Sequence, residues 1–206
     1  NYFNIIGETY MRIEQHLMVI PGTKIENINE IWSHPMALRQ CQTFLNKHHQ
    51  IKSVEKEDTA KSAAIIKENN LTNTAAIASQ MAADMYNLEI IERGIETNKK
   101  NFTRFLIISS NHEIIDRTSN KASICFTIDH STGSLAKILT FLSERKLNLT
   151  KIQSNPRLGK VWEYFFYVDL LFDDIQSYFK TMEELKPMVT ELILLGTYKD
   201  GINNKL

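Results

Sequence analysis

The alternation of apolar and polar residues predicts an extended segment near the start of the chain. Residues 5–20 carry apolar side chains at many alternate positions and end at the turn dipeptide Pro21-Gly22. A period of two places successive side chains on opposite faces of a β-strand. The period changes over residues 35–45, where apolar residues recur at spacings of three and four, which is typical of a helix with one buried face. These residues are Ala37, Leu38, Cys41, Phe44 and Leu45.

Helical and extended patterns then alternate as far as residue 108. The helix over 35–45 is expected to begin with Ser33 as its cap and Pro35 in its first turn. His34 precedes that proline, so we expect its ring to cap or line the helix end rather than to contact a ligand. The other elements predicted in this region are strands near 31–32, 51–54, 75–78, 88–91 and 102–108, and helices over 58–67 and 80–86. Alternating strands and helices indicate βαβ units and a largely parallel sheet.

A polar stretch with charges of both signs, residues 111–121, separates this region from a second pattern. Beyond it we predict, in order, a strand over 122–128, a helix over 134–146, strands over 149–154 and 162–172, a helix over 175–185 and a strand over 192–195. This βαββαβ order is the ferredoxin-like pattern. A unit of roughly 75 residues is near the lower size limit for an independent core, so pairing with a second copy is physically attractive.

Composition and charge exclude several classes of function. The 24 lysine and arginine residues balance the 24 acidic residues, so no global field favours nucleic acid or an anionic membrane. The sequence has no run of about 18 apolar residues that would span a bilayer. Cys41 and Cys125 lie outside any metal-ligand spacing, and His48-His49 has no third ligand nearby. We therefore expect no metal, no disulfide framework and a cytoplasmic location.

The segment Asn101-Phe102-Thr103-Arg104-Phe105 is the strongest candidate for chemistry. Arginine offers a planar fork for a carboxylate, and a threonine hydroxyl is a neutral hydrogen-bond donor. Adjacent strand residues point to opposite faces unless the chain bends at the strand mouth, which is where open α/β sheets bind ligands. From the residue types alone, an ordinary strand with a solvated arginine is the simpler interpretation.

Several segments together resemble the prephenate dehydratase family. The segment 101–105 is similar to the family's Thr-Arg-Phe signature, and the other similar segments follow the family's order over nearly the whole chain. In chain order they are Gly7-Glu8, Trp32-Ser33-His34-Pro35 with Gln40-Cys41, Ala76-Ile77-Ala78-Ser79 and Tyr86-Asn87-Leu88-Glu89. The resemblance implies a cofactor-free lyase that converts prephenate into phenylpyruvate in L-phenylalanine biosynthesis, with release of carbon dioxide and water.

The resemblance assigns roles to five residues. Thr103 would stabilise the departing hydroxide, Arg104 would bind or orient a substrate carboxylate, and Phe105 would wall the site and exclude water. Gln40 and Glu57 match family positions that face the cleft. A solvent-facing amide at Gln40 and a charge that favours the helix dipole at Glu57 are the alternative interpretations.

The second pattern resembles an ACT domain, a regulatory domain that binds phenylalanine in this family. Gly133-Ser134-Leu135-Ala136 is similar to its Gly-Ala-Leu motif, and Gln153-Ser154-Asn155-Pro156 to its Glu-Ser-Arg-Pro motif. A glycine before a helix lets backbone amides approach a carboxylate, although a simple turn glycine is the alternative. Gln153 and Asn155 replace the motif's charged residues, so the resemblance implies L-phenylalanine as an effector with weakened or altered binding.

The expected architecture is α/β with two parts. Residues 1–110 would be part of a two-lobed catalytic domain like periplasmic binding proteins, 111–121 a linker, and 122–200 an ACT domain that pairs subunits into a homodimer or homotetramer. The family's first βα segment has no match in residues 1–206, so we expect a fragment whose own activity is open. The alternatives are a catalytically incomplete amino-acid-binding regulatory module and a structural partner for another chorismate-pathway enzyme.

Overall fold

Three β-sheets organise the part of the chain that the computed structural model describes, residues 3–110 and 116–201. The chain divides into two units. The central unit is Met11–Thr103, and the terminal unit combines Asn1–Tyr10 with Arg104–Leu206. The sequence predicts a boundary at 111–121 instead, of which residues 111–115 lie outside the described residues. The division differs because the N-terminal strand carries Glu8, whose ion pairs are with residues of the terminal unit.

A five-stranded mixed sheet forms the centre of the central unit. Its strands are β2 (His16–Val19), β3 (Glu30–Ser33), β4 (Lys52–Glu55), β5 (Thr74–Ala78) and β6 (Glu89–Glu92), in the order β4-β3-β5-β2-β6. Strand β3 pairs in parallel with β4 and β5, whereas β2 pairs antiparallel with β5 and β6. The prediction of a largely parallel sheet is therefore wrong. Both β5 and β6 oppose β2, so they run parallel to each other, and β2 is inserted into their βαβ crossover.

Helices α1 (Pro35–Gln40) and α2 (Gln42–Lys47) replace the single helix predicted over 35–45, and they meet at the buried Cys41. His34 caps α1, since its Nδ1 accepts a hydrogen bond from the Met36 amide at 3.1 Å, as predicted. The prediction of Ser33 as the cap is wrong. Its fully buried hydroxyl donates to the Ile77 carbonyl at 2.6 Å and so ties the end of β3 to β5.

Apolar layers cover both faces of this sheet. Helices α3 (Thr59–Glu68) and α4 (Gln80–Tyr86) contribute to one layer, in which Ala63, Ile66 and Ala82 pack with Met18 and Ala76 of the sheet. The opposite layer is formed by apolar residues of α1 together with strand residues such as Leu17, Ile31 and Ile77. Burial on both faces explains why β2 and β5 have no exposed position.

A four-stranded antiparallel sheet with two helices forms most of the terminal unit. In chain order its elements are β8 (Lys121–Thr127), α5 (Ser134–Glu144), β9 (Asn148–Pro156), β10 (Tyr164–Leu171), α6 (Ile175–Leu185) and β11 (Glu191–Tyr198). The strands lie in the order β11-β8-β10-β9. Ile124, Phe126, Leu142, Leu170 and Tyr178 lie in its core. Strands β9 and β11 are longer than predicted, because their pairing with β10 and β8 continues beyond the apolar residues that mark them in the sequence.

Strands β1 (Asn4–Arg12) and β7 (Phe102–Ser109) form the third sheet. Four consecutive apolar residues of β7, from Phe105 to Ile108, are each between 43% and 59% exposed. Strand β7 begins in the central unit and continues into the terminal unit, so Thr103 and Arg104 lie on either side of the division.

Candidate active site

Thr103 is the second residue of β7 and is exposed to solvent. The start of this strand is held by the Asn101 carbonyl, which accepts a hydrogen bond from the Ile13 amide at 2.8 Å. Because strand residues alternate between faces, Thr103 and Phe105 share one face, and Arg104 projects from the other. The site residues predicted from the Thr-Arg-Phe segment therefore separate into an exposed pair and a half-buried arginine.

Gln40, the last residue of α1, is fixed through both its backbone and its side chain. Its carbonyl accepts a hydrogen bond from the Thr97 amide at 2.8 Å, and its Oε1 accepts one from Gln15 Nε2 at 3.2 Å. The Thr97 hydroxyl also bridges to Thr43 of α2. These bonds orient the half-buried amide of Gln40, which is the property that a substrate-contacting amide requires.

Glu96 was not found by sequence reasoning, although it supports Gln15 and is only 2% exposed. Its Oε2 accepts a hydrogen bond from the Gln15 amide at 3.0 Å, and its Oε1 lies 3.6 Å from Lys99 Nζ and 3.9 Å from Arg12 Nη2. Burial by itself raises the pKa of Glu96, but the hydrogen bonds from the Gln15 and Glu96 amides and the charge of Lys99 outweigh it, so the pKa is lowered. A lone carboxylate in a polar segment has no periodicity that would reveal this role.

A groove of about 370 Å³ lies beside Glu96. Its lining includes the basic side chains of Arg12, Arg93 and Lys99, together with His16. His16 is buried, and its Nδ1 accepts a hydrogen bond from the Gly94 amide at 3.0 Å. Burial lowers the pKa of His16, although Glu14 and Glu96 act in the opposite direction. The ring is therefore held as a neutral acceptor.

We expect His16 to destabilise the fold at acidic pH. The unfolded chain takes up a proton near the usual histidine pKa of about 6.5, while the folded chain resists it until a lower pH. The contribution of His16 is therefore fully present above about pH 6.5 and is lost as the pH falls toward the folded-state value. Urea unfolding at about pH 7.5 and about pH 5.5 brackets the usual histidine pKa of about 6.5. Between these two pH values, the unfolding free energy should decrease less for His16→Gln than for the wild type. The exposed His49→Gln is the control, and equal pH slopes for all three proteins would contradict the assignment.

Glu57 lies on the exterior of the central unit, directly before Asp58, the residue that caps α3. Its carboxylate pairs with Lys61 at 2.8 Å, and its side chain is 82% exposed. The hydrogen bond and charge of Lys61 lower the pKa of Glu57. This geometry agrees with the alternative interpretation, a charge at a helix N-terminus, and a catalytic role for Glu57 stays a prediction.

Arg104 contacts acidic groups of its own chain. Its Nε donates to Glu8 at 2.5 Å, its Nη1 to Asp169, and its Nη2 to the Tyr198 hydroxyl at 2.8 Å. Burial alone lowers the pKa of Arg104, but the hydrogen bond that it donates to Asp169 and the neighbouring negative groups raise the pKa above the usual range. Its predicted role as a substrate ligand stays a prediction, and the structure adds that its nitrogen atoms already have partners.

These contacts belong to a larger set of polar side chains, the ion network, buried between β1, β7 and the four-stranded sheet within the terminal unit. Lys121 Nζ bonds to Glu8 at 2.8 Å and to Asp200 at 3.1 Å. The Ser123 hydroxyl bonds to Asp169 at 2.5 Å and to the Tyr198 hydroxyl at 2.6 Å. The members of the ion network are Glu8, Arg104, Lys121, Ser123, Asp169, Tyr198 and Asp200. Burial is the main cause that raises the pKa of Tyr198 to about 12, so its hydroxyl keeps its proton.

The predicted effector residues lie on two elements of the terminal unit. Gly133 precedes α5 with a φ of 83°, a left-handed conformation that favours glycine. Ser134 and Leu135 line a cavity of about 130 Å³ together with Asp129, His130 and Trp162, which sequence reasoning did not select. Trp162 stacks on His130 with ring centroids 5.9 Å apart. Ala136, the last residue of the first predicted segment, lies on the exposed side of α5. The second predicted segment, 153–156, lies on the exposed strand β9.

Neither a metal cluster nor a membrane-spanning helix is found among residues 3–110 and 116–201. No three potential ligands among histidine, cysteine and acidic residues come together there. None of the described helices is both long enough and apolar enough to cross a bilayer. Cys41 and Cys125 are free, buried thiols, and burial raises the pKa of Cys41 to about 12.

Comparison with known sequences identifies clear relatives. Residues 1–113 match the family described as prephenate dehydratase. A bifunctional chorismate mutase/prephenate dehydratase from Aquifex aeolicus is 37% identical over 200 residues, which are 96% of this chain and 54% of that protein. A prephenate dehydratase from Bacillus subtilis is 33% identical over 208 residues, 95% of this chain and 73% of that protein. The chain thus spans about half the length of several curated relatives that it matches.

Solved structures give a consistent result for the fold. A prephenate dehydratase from Arthrobacter aurescens, solved in complex with L-Phe, has a TM-score of 0.87 and 26% identity and covers 98% of this chain and 67% of its own. A protein described as GqqA, a novel type of quorum quenching acylase, has the same TM-score and identity and covers 99% of this chain and 75% of its own. The mixed α/β architecture with several sheets is therefore shared with solved proteins over almost the whole length.

Proposed function

Because the chain belongs to the prephenate dehydratase family, we propose that the protein to which it belongs is a lyase that converts prephenate into phenylpyruvate. The observation that carries the proposal is the Thr103-Arg104-Phe105 segment at the start of β7. It lies inside the residues that match the family, and its threonine residue is exposed to solvent. The reaction needs neither a metal nor an organic cofactor in this proposal.

The proposed chemistry requires a hydrogen-bond donor near the leaving group. The bond to the ring carboxylate breaks and its electron pair enters the ring, which becomes aromatic as the ring hydroxyl departs. Carbon dioxide is released, and the departing hydroxide takes up a proton to give water. A threonine hydroxyl is too weak an acid to transfer its proton freely, but a positioned donor stabilises the developing negative charge.

The remaining residues would position the substrate. Phe105 shares the face of Thr103 on β7 and offers an apolar surface that excludes water, which strengthens a hydrogen bond in the site. Gln40 offers an amide oriented by Gln15 and Thr97. Glu57 contributes less to the proposal, because its carboxylate pairs with Lys61 in solvent.

A turnover assay of the full-length protein tests this proposal directly. Incubation with prephenate is expected to release phenylpyruvate and carbon dioxide in equal amounts, at a rate far above the spontaneous one. A protein that binds L-phenylalanine but leaves prephenate unchanged would instead be the amino-acid-binding regulatory module, the alternative function. Failure of both measurements would leave only the structural-partner hypothesis.

We further propose that the βαββαβ part of the terminal unit is an ACT regulatory domain of ferredoxin-like topology that binds L-phenylalanine. The amides that precede α5 at Gly133 are suited to a carboxylate, and the neighbouring cavity presents the carboxylate of Asp129 and the ring of Trp162. The related structure from Arthrobacter aurescens was solved with L-Phe. The two supports for this proposal are thus the local geometry and the L-Phe in the structure of a related protein.

Restoring the motif's charges is expected to tighten effector binding. In the double variant Gln153→Glu/Asn155→Arg, charged hydrogen bonds would replace neutral ones, and each is stronger by roughly 1 kcal/mol. The two together amount to about 2 kcal/mol, so the Kd for L-phenylalanine, measured by calorimetry, should fall by about 30-fold or less. Lys151→Glu, on the same strand, is the control and should not improve binding. Absence of binding to the wild type at millimolar L-phenylalanine would contradict the ACT assignment.

We also propose assembly through this domain. Strand β9 lies at the edge of the four-stranded sheet, where unpaired backbone groups invite a further strand. A second copy of the same domain would satisfy them and produce a homodimer, or a homotetramer if dimers pair. The cytoplasmic location stays a prediction.

A further inference from the structure

We propose that Arg104 is a positioning residue for the reaction, which anchors strand β7 beneath Thr103, and that it is not a ligand of the substrate. This inference rests on the proposed function and refines it. It is carried by the ion network on the face of β7 opposite to Thr103.

The partners of Arg104 leave it few hydrogen bonds to offer. Its three nitrogen atoms donate to Glu8, Asp169 and the Tyr198 hydroxyl. A guanidinium has five N–H groups in a fixed planar arrangement, so these three contacts fix its orientation. A substrate carboxylate that sought the same fork would have to displace at least one of them.

The partners themselves are also engaged. The second oxygen of Glu8 accepts hydrogen bonds from Lys121 at 2.8 Å and from the Gly201 amide at 3.0 Å. The second oxygen of Asp169 accepts one from Ser123. Glu8 and Asp169 are 8% and 5% exposed. Withdrawal of the arginine would break its ion pairs with two buried carboxylates, removing the counter-charge described for Asp169 and leaving Glu8 paired with Lys121, so the network opposes any movement of Arg104 toward a substrate.

This anchoring bears on catalysis because of sequence adjacency. The Cα atoms of Thr103 and Arg104 are about 3.8 Å apart, and the peptide between them is planar and rigid. A shift of Arg104 therefore shifts the backbone of Thr103 as well. A displacement of about 1 Å at a catalytic group can reduce a rate by roughly 100-fold. The ion network thus fixes the catalytic hydroxyl from the opposite side of the strand, without contact with the substrate.

Asp169→Asn tests the proposal, because it weakens the anchor from strand β10 while Arg104 itself is retained. If Arg104 positions Thr103, kcat for prephenate should fall by about tenfold or more with a KM change under about threefold, since ground-state binding is preserved. Arg104→Lys should show the same pattern, and the double variant should lose less than the product of the two effects. The surface pair Arg145–Glu184 supplies the matched control, and Arg145→Gln should leave both constants unchanged.

A substrate-binding role for Arg104 predicts different kinetic results. If Arg104 binds a substrate carboxylate, Arg104→Lys should raise KM strongly and Asp169→Asn should leave the kinetics at wild-type values, which would overturn the positioning role. Tyr198→Phe retains every charge and provides a milder test if Asp169→Asn does not fold. Wild-type kinetics in Tyr198→Phe would also overturn the positioning role of Arg104. Absence of turnover in the wild-type protein would refute the proposed function instead, so the two failures are distinguishable.

Discussion

Replacement of Thr103 by alanine is expected to lower kcat for prephenate by roughly 100-fold or more, the loss measured when one donor to a developing oxyanion is removed. KM should change little, because the hydroxyl interacts mainly with charge that appears in the transition state. The unfolding free energy should also be preserved, since Thr103 is exposed at the start of β7. Steady-state kinetics and urea unfolding of the full-length protein measure the three quantities.

Two variants make this result specific. Thr103→Ser retains the hydroxyl and should keep much more of the turnover than the alanine variant. Thr140→Ala removes a threonine hydroxyl from the exposed side of α5 and should leave kcat unchanged. An alanine variant at position 103 that keeps half of the wild-type turnover would remove Thr103 from the mechanism.

Lys121→Met should have the largest effect on stability, a decrease in unfolding free energy of about 3–5 kcal/mol, as expected when one partner of a buried ion pair is removed. Lys121 is 2% exposed, and its ammonium lies between the carboxylates of Glu8 and Asp200. Burial alone lowers its pKa, but the hydrogen bonds with those carboxylates outweigh burial, so the pKa is raised. Its stabilising contribution is therefore present throughout the neutral range and is lost only as the pH rises above the usual lysine value.

A second substitution separates the charge effect from a loss of packing. Asp200→Asn in the Lys121→Met background removes one of the two negative charges next to position 121 and should restore part of the lost free energy. Lys180→Met, at an exposed position of α6, should change it by no more than about 0.5 kcal/mol. Equal destabilisation by Lys121→Met and Lys180→Met in urea unfolding would show that the ion network contributes nothing.

Contacts between residues that are close in the sequence could be predicted, whereas contacts between residues far apart in the sequence could not. His34 caps α1 as expected, because capping depends on a few neighbouring residues and a following proline. The partner of Ser33 is Ile77, 44 residues away, and no local pattern indicates that pairing. The same limitation explains the sheet, since the position of β2 between β5 and β6 depends on tertiary packing rather than on the periodicity of any single strand.

The same difference between near and distant contacts applies to the candidate site. The residue type of Arg104 predicted a substrate carboxylate as its partner, which stays a prediction, whereas the structure shows two carboxylates of the same chain, at positions 96 residues before and 65 residues after it. Glu96 lacked any signal, because its role depends on the segment around Gln15, 81 residues earlier. Thr103 could be selected only through resemblance, since an exposed strand threonine is unremarkable by chemistry alone.

The division of the chain into units also sets an order of events during translation. The 93 residues from 11 to 103 form a contiguous unit, so all the contacts that it makes with itself become available as soon as it leaves the ribosome. The two parts of the terminal unit are separated in the sequence by these 93 residues. Glu8 therefore emerges 113 residues before Lys121, with which it forms an ion pair. Until Arg104 and then Lys121 have been synthesised, the Glu8 carboxylate lacks these two ion-pair partners. The nascent protein therefore completes the ion network late, after the strand that carries Thr103 has already been synthesised.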